Sequence, residues 1–426
     1  MHVELPDADW ELRLPQGAVP QPALAGELKK AARQGADFIY FDEDSLQPGA
    51  FPACCKPDFA PDYLRGCNYI GSCYAYRKTP GEKACTEEAL DGHDRVLRLT
   101  ERAARIVHIP RVLCRLPEEQ LTIAPASPAA VQGQLNRLGL NGTAEAAKYG
   151  CCRTRYAIGG EPLVSILIPN KDHAEDLAKC VRSIREKTAW PRWEILILEN
   201  SSREPETFRL YGELLADPRI RLVTWFGAFN YAAIINHGAR YARGGILLQL
   251  NNDTEVISPD WLEEMLMYAQ RPDVGAVGAV LYYPDDTVQH AGMVYDAAFG
   301  TAHAFRYAAR GAAGYMNRMA AVQDVSAVTG ACLMVRRDVW ERVQGMDERF
   351  PVGYNDVDLC LRLRKAGFLV VWTPYAELYH YESKSRGLDV TRTMQQRGLR
   401  EQTLFFQLHR EALRRGDPYY NPQLLP

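Results

Sequence analysis

From residue 162 onward, short apolar runs alternate with amphipathic stretches. "LVSILIPNKD" is an apolar run that stops at Pro169 and Asn170, the length of a buried strand. "AEDLAKCVRSIREKT" follows, with Leu177, Val181 and Ile184 at helical spacing on one face. "WEILILEN" reads as a second buried strand, ending in Glu199 and Asn200, and "RIRLVTW" as a third. "FNYAAIINHGARYA" reads as a helix and "GGILLQLNND" as a fourth strand. Strands alternating with helices predict an α/β fold with a parallel, doubly wound sheet. The fourth strand runs into Asn251, Asn252 and Asp253, and Ser258 with Pro259 then reads as the N-cap and first residue of another helix. A polar trio at the carboxyl end of a strand stands where open α/β sheets bind ligands. No GxGxxG follows the first strand, so the dinucleotide fingerprint is absent.

The first 150 residues follow another pattern. "ADFIYFDEDS" is a strand ending in acidic residues, and residues 119–160, rich in small residues, Pro and Gly, read as an interdomain connection with a short helix. Three blocks recur in the same order. "FIYFDED" parallels "LLQLNND", and "YIGSCYAYRK" parallels "VTGACLMVRR", which matches Gly71 with Gly330 and Arg77 with Arg336. "DGHDRVLRL" parallels "NDVDLCLRL", which matches Asp94 with Asp358 and sets Gly92 opposite Asp356. The order predicts a duplication whose first copy lacks counterparts of the strands at 163–169 and 194–200. The competing reading is that strand–Gly–strand patterns recur in any α/β chain. The predicted division is residues 1–118, a connection at 119–160, and 161–426.

Composition narrows the class without naming a function. The 426 residues, 47% hydrophobic and 24% charged, suffice for two ordinary globular domains. A net charge of -3 gives no reason to expect a nucleic-acid partner. No apolar stretch approaches bilayer length, and "MHVELPDADWELRLPQG" lacks the basic start and apolar core of a signal peptide. Eleven cysteines without a CxxC pair speak against a zinc framework. The expectation is reduced thiols in a cytosol, acting as small core hydrophobes.

Taken in order, "SILIPNKDHAEDLAKCVRSI", "EILILENSS", "LLQLNNDTEV", "VTGACLMVRRDVWERVQGMDERF", "YNDVDLCLRLRKAGF" and "LYHYESKSRG" resemble the successive motifs of a family 2 glycosyltransferase. "DPYYNP" resembles the ending of polysaccharide-building members, so the resemblance runs from about residue 160 to 426. The first 118 residues resemble the second half of the same domain, as in bacterial proteins with tandem units. The resemblance implies a GT-A fold: a Rossmann-like, mainly parallel nucleotide-binding sheet joined to an acceptor-binding half. A smaller, incomplete and non-catalytic GT-A-like α/β domain would precede it. Also implied is an inverting hexosyl- or deoxyhexosyltransferase using a nucleoside-diphosphate sugar and a divalent metal, Mn2+ or Mg2+. Its acceptor would be a saccharide or lipid-linked saccharide of cell-surface polysaccharide synthesis, with no nucleic acid involved. The expected place is the cytoplasm, at the inner face of the membrane.

Residue roles follow from the same resemblance. Asp253 and His380 match the metal site, and Asn252 belongs to the diphosphate motif. Asn251 stands where the family has its first acid, contributing a carbonyl oxygen without charge. A hard cation with oxygen ligands suits a departing diphosphate. Asn-Asn-Asp also makes an ordinary Asx turn after a strand. Pro169, Asn170, Asp172 and Glu199 resemble the nucleoside pocket, where a carboxylate accepts a hydrogen bond from a pyrimidine imide. The bland role for such a carboxylate is to compensate a helix dipole. Asp356 matches the general base that takes the proton of an attacking hydroxyl, although the usual preceding Glu is Asn355. Asp358 is expected to cap a helix. Gly330, between Thr329 and Ala331, resembles the loop beneath donor sugar and acceptor, and Lys384 and Arg386 the basic loop over the diphosphate. "REQTLFFQLHREALRR" is an amphipathic helix that packs on the catalytic domain or touches an anionic membrane. The non-enzymatic alternative is a weakened nucleotide-sugar-binding or scaffolding module, which Asn251 and Asn355 favour.

Overall fold

The apolar runs after residue 160 are strands β1 (Val164–Asn170), β2 (Trp193–Glu199), β3 (Ile220–Thr224) and β4 (Ile246–Leu250). They lie side by side in the order β3–β2–β1–β4, all parallel. β1, β2 and β4 are covered on both faces, which is why their apolar runs are nearly continuous. Helix α1 (Ala174–Lys187) links β1 to β2 and buries Leu177, Val181 and Ile184. Helix α2 (Tyr231–Tyr241) leads from β3 to β4, and its N-cap Asn230 accepts from the Ala233 amide at 3.0 Å.

Past β4 the sheet becomes mixed. It adds β5 (Thr254–Val256), β6 (Val274–Tyr282), β7 (Cys332–Arg336) and β8 (Leu369–His380) in the order β4–β7–β6–β8–β5. β7 runs antiparallel to both β4 and β6, β8 is parallel to β6, and β5 is antiparallel to β8. The doubly wound parallel pattern therefore describes the first four strands only. The helix expected from Ser258–Pro259 begins later, as Trp261–Ala269 with Asp260 at its N-cap. Ser258 is drawn instead to β8, where its hydroxyl accepts from the Glu377 amide (2.9 Å) and donates to the Tyr375 carbonyl (3.2 Å).

This computed structural model describes residues 5–7, 9–47, 49, 53–78, 91–121, 123–298, 300–381 and 391–424. It divides into two units: Met1–Tyr156 with Ala313–Gln323 and Asp417–Pro426, and Ala157–Ala312 with Asp324–Gly416. Residues 119–160, expected as a connection, group with the first unit as far as Tyr156. They form a helix (Pro128–Arg137) capped by Ser127, which buries Val131 and Leu135, and a hairpin of Gly142–Ala146 with Cys152–Tyr156. The "DPYYNP" segment also groups with the first unit. Described cysteines are free thiols, all buried except the half-buried Cys54.

The first unit's sheet runs Trp10–Arg13, Tyr74–Arg77, Phe38–Ser45, Ile106–Leu116, Val19–Pro20. Successive pairs are antiparallel, antiparallel, parallel and antiparallel. That is the succession β4–β7–β6–β8–β5 of the second unit. The registers agree as well. Trp10 faces Arg77 as Ile246 faces Arg336, and Ile39 faces Ala75 and Val107 as Val277 faces Met334 and Val371. Val19 faces Arg115 as Glu255 faces Tyr379. Both sheets have a register irregularity at matching points, after Phe41 and after Ala279.

This topology corrects one pairing read from the sequence: "FIYFDED" occupies the place of β6, not of β4. An apolar strand running into acids occurs twice in the second unit, as "LLQLNND" and as "VLYYPDD". Pattern alone cannot separate the two; the neighbouring strands do. The acids of "FDED" are bound internally. Asp42 is fully buried and accepts from His108 Nε2 (2.9 Å), the Lys56 amide (2.8 Å), Asn421 Nδ2 (2.8 Å) and Gln423 Nε2 (2.7 Å). Glu43 pairs with buried Lys56.

Candidate active site

At the carboxyl ends of β1 and β4 a cleft of about 470 Å³ brings together Pro169, Asn170, Asn252, Asp253, Gly330, Asp356 and His380. The pairing of β5 with β8 sets Thr254 opposite His380 and so carries Asp253 to the imidazole. Asp253 Oδ1 lies 3.2 Å from His380 Nε2. Gln289 clasps the histidine from the other side. Its Oε1 takes the Nδ1 proton at 2.5 Å, and its Nε2 donates to the His380 carbonyl at 3.1 Å. The Nε2 lone pair is thereby left facing the cleft, where Asn251 Nδ2 donates to it at 3.1 Å. Asn251 is an amide donor in this arrangement.

A neutral imidazole nitrogen beside a carboxylate oxygen could hold a divalent cation, with diphosphate and water oxygens completing the shell. Among the described residues no group of three or more His, Cys, Asp or Glu could hold a metal, so the protein's share would be these two ligands. The donor set fits Mn2+ or Mg2+. Gln289→Leu removes the group that selects the imidazole tautomer. Mn2+ affinity in the presence of a nucleoside diphosphate should fall about 10- to 100-fold, read from a metal titration. An unchanged titration would separate Gln289 from metal binding.

Asp356 opens helix α3 (Asn355–Lys365). Its Oδ2 accepts from the Gly330 amide and its Oδ1 from the Val357 amide, each at 2.9 Å. The loop before it is fastened by α4 (Arg392–Leu408), which packs within this unit; the single helix expected over 400–415 is broken at His409, and Arg410–Arg415 forms a second short helix. Glu401 accepts from the amides of Val352 (3.1 Å) and Gly353 (2.8 Å), and buried Phe405 stacks on Tyr354, whose φ is +62°. Asn355 Nδ2 donates to the Val352 carbonyl at 2.9 Å, a bond the family's usual Glu could not make. Asp358 is not a cap. It is 1% exposed, accepts from Arg362 Nε at 2.8 Å and meets His409 Nε2 at 2.8 Å. Tyr354 holds the N-cap position, and Asp358 in the first turn is an ion-pair partner of Arg362 that also hydrogen-bonds the His409 ring.

Glu199 and Asp172 are not among the residues lining the cleft. Glu199 is buried and accepts from the Ser202 amide (2.5 Å), the Ser202 hydroxyl (2.7 Å) and the Tyr211 hydroxyl. Tyr211 in turn accepts from Asn170 Nδ2 (2.8 Å), and Asn170 Oδ1 accepts from Asn252 Nδ2 (2.7 Å). A continuous chain thus joins Glu199 to the polar trio. Asp172, in left-handed backbone (φ +56°), accepts from the amides of Arg203 (2.7 Å) and Glu204 (2.9 Å) and closes the loop beside β1. Arg386 and Lys384 lie outside the described residues.

Sequence reading did not find Tyr211, Tyr231, Gln289 or Glu401. Tyr231 donates to the Gly330 carbonyl at 3.1 Å. Burial, with the charges of Asp356 and Asp253, raises its phenol pKa and keeps it protonated. None of these four sits in a motif. An aromatic or amide in an amphipathic stretch carries no local mark of such a role.

The family profile "Glycosyltransferase like family 2" matches residues 162–402, more than half of the chain. The O-antigen biosynthesis protein RfbC of Myxococcus xanthus is 37% identical over 405 residues, 91% of this chain and 31% of that protein. An N-acetylglucosaminyl-diphospho-decaprenol L-rhamnosyltransferase of Mycobacterium tuberculosis is 45% identical over 67 residues, 16% of this chain and 22% of that protein. The chain spans less than half the length of the curated relatives that it matches over most of its own. A solved mannosyltransferase, PcManGT from Pyrobaculum calidifontis in complex with GDP-Man and Mn2+, aligns with a TM-score of 0.45 at 18% identity, over 62% of this chain and 69% of that one. With the ordered motifs and the profile agreeing over the same residues, the chain belongs to glycosyltransferase family 2.

Proposed function

We propose that the second unit is an inverting, metal-dependent glycosyltransferase that moves a hexosyl or deoxyhexosyl group from a nucleoside-diphosphate sugar to a saccharide or lipid-linked saccharide. The observation that carries the reading is that one cleft holds both Asp356 and the Asp253–His380 pair. A sugar hydroxyl is a poor nucleophile, so Asp356 accepts its proton as the oxygen attacks the anomeric carbon. Attack comes from the side opposite the departing diphosphate, and one displacement with one base inverts the configuration. Asp253 and His380 would hold a divalent metal, which neutralises charge on the leaving group when bound. Pro169 and Asn170 would frame the nucleoside, with Asp172 and Glu199 bracing that wall from behind the cleft, while Asn252 and Arg386 would meet the diphosphate and Gly330 the sugar.

The names of the two relatives favour a polysaccharide product and a lipid-linked acceptor. Such an acceptor puts the work in the cytoplasm, at the inner face of the membrane. No helix among the described residues is long and apolar enough to cross a membrane, and any contact through this chain's helices would be peripheral.

The first unit is a degenerate copy of the second half of the catalytic domain, residues 1–118 of the sequence-based division. Counting back two residues from Val19 and from Glu255 brings Gly17 to the place of Asp253. By the same registers Leu116 takes the place of His380, and the matching sequence blocks set Gly92 at that of Asp356. Without acid, imidazole or base, this unit has no turnover.

Thermal-shift assays with UDP, dTDP, GDP and CDP, each with Mn2+ and with chelator, test the reading. One nucleotide should stabilise the protein strongly with Mn2+ and weakly with chelator. Equal shifts under both conditions for all four would remove the metal site.

A further inference from the structure

Gln249 of β4 is 1% exposed, and neither its Oε1 nor its Nε2 has a hydrogen-bond partner among the described residues. Ile246, Leu247, Leu248 and Leu250 make the rest of the strand apolar, so a leucine would complete it. Burying an amide with both ends unsatisfied is unfavourable, and such a group in a native fold calls for a reason.

The reason lies at Gly330. A Cβ added there would stand 3.4 Å from Gln249 Oε1, 3.4 Å from the Tyr231 hydroxyl oxygen and 3.6 Å from Asp356 Cβ, all ordinary contacts. Gly330 is not among the residues with positive φ, so neither backbone nor packing demands a glycine. Gln249 does not itself line the cleft; its side-chain oxygen lies on the far side of Gly330, where no side chain intervenes. Gly330, Tyr231 and Asp356 all line the cleft. Gln249 also precedes Asn251 by two residues, which in an extended chain puts both side chains on one face, about 7 Å apart. A sugar carried by a diphosphate at Asn251–Asp253 would come next to the Gly330 step, behind which Gln249 sits.

We infer that Gln249 is a specificity-determining residue whose amide hydrogen-bonds a hydroxyl of the donor sugar at the Gly330 step. An amide offers one acceptor and two donor protons, and a hydroxyl both gives and takes a hydrogen bond. The amide carries no charge to neutralise a phosphate, which assigns it to the sugar. This inference rests on the proposed glycosyl transfer and names a residue that reads its donor.

The test compares the wild-type protein with Gln249→Leu, Gly330→Ala and the double variant, all with Mn2+. The probes are UDP-glucose, dTDP-rhamnose and GDP-mannose beside UDP, dTDP and GDP. Gln249→Leu should raise the melting temperature by about 2 °C, because two unsatisfied polar atoms leave the interior. It should weaken the nucleotide sugar preferred by the wild type about tenfold and leave the matching diphosphate unchanged. Gly330→Ala should weaken the same nucleotide sugar, and the double variant should lose no more than the worse single one, as residues serving one contact do. Equal nucleotide-sugar affinity in wild type and Gln249→Leu would overturn the inference. So would an equal loss of the diphosphate, or a lower melting temperature, which would make the amide a structural partner. If the wild type bound no nucleotide sugar at all, the glycosyl-transfer reading would fall, and this inference with it.

Discussion

Asp356→Asn will lower glycosyl transfer by about two to four powers of ten, the usual range for a positioned general base. Asparagine keeps the shape and one carbonyl oxygen, so the Gly330 amide, now 2.9 Å from Asp356 Oδ2, retains an acceptor. The side chain loses the capacity to take a proton and the second acceptor oxygen, which now bonds the Val357 amide. Donor binding should change little, because the proposed diphosphate contacts are Asn252 and Arg386 and the proposed metal ligands Asp253 and His380. Melting temperature should change little as well, since Asp356 is half-buried and its bond to the Gly330 amide keeps an acceptor in the variant. The measurements are transfer rate, nucleotide affinity and thermal melting on one preparation. Full activity in the variant would mean that the base is another group.

Asp358→Asn should give the opposite signature. Its carboxylate is buried between Arg362 Nε and His409 Nε2, each at 2.8 Å. Removing one partner of a buried pair costs several kcal/mol because the other charge stays behind. The Arg362 side chain is a quarter exposed, so solvent takes up part of that charge and about 2 kcal/mol is expected. In a unit of this size that lowers the melting temperature by about 4–8 °C. Transfer per folded molecule should remain. A capping role alone would have cost about 1 kcal/mol or less, so the size of the shift separates the two accounts. A variant that melts like the wild type and does not transfer would move catalysis to Asp358.

The sequence by itself determined the first four strands and the helices after the first and third of them, because both patterns are local; the helix Pro205–Leu214 between the second and third was not read from it. A strand covered on both faces must be almost wholly apolar, and a helix on a sheet must repeat its apolar positions about every turn. It also named candidates: Asp253 by its place at the carboxyl end of a strand, and His380 and Asp356 through the resemblance to family 2 motifs. Only the tertiary structure decided that these three share one cleft with Gly330. Strand order decided that "FIYFDED" stands for β6, where the acidic ending had suggested β4. Contacts across the chain decided the rest: Gln289 holds His380 from 91 residues away, and Glu401 fastens the Asp356 loop from a separation of 49. The second partner that Asp358 gains in the fold, His409, lies 51 residues on. Periodicity reaches about a turn of helix or two residues of strand, so hydrogen bonds at these separations leave no trace in it. They exist only once the sheet has brought their ends together.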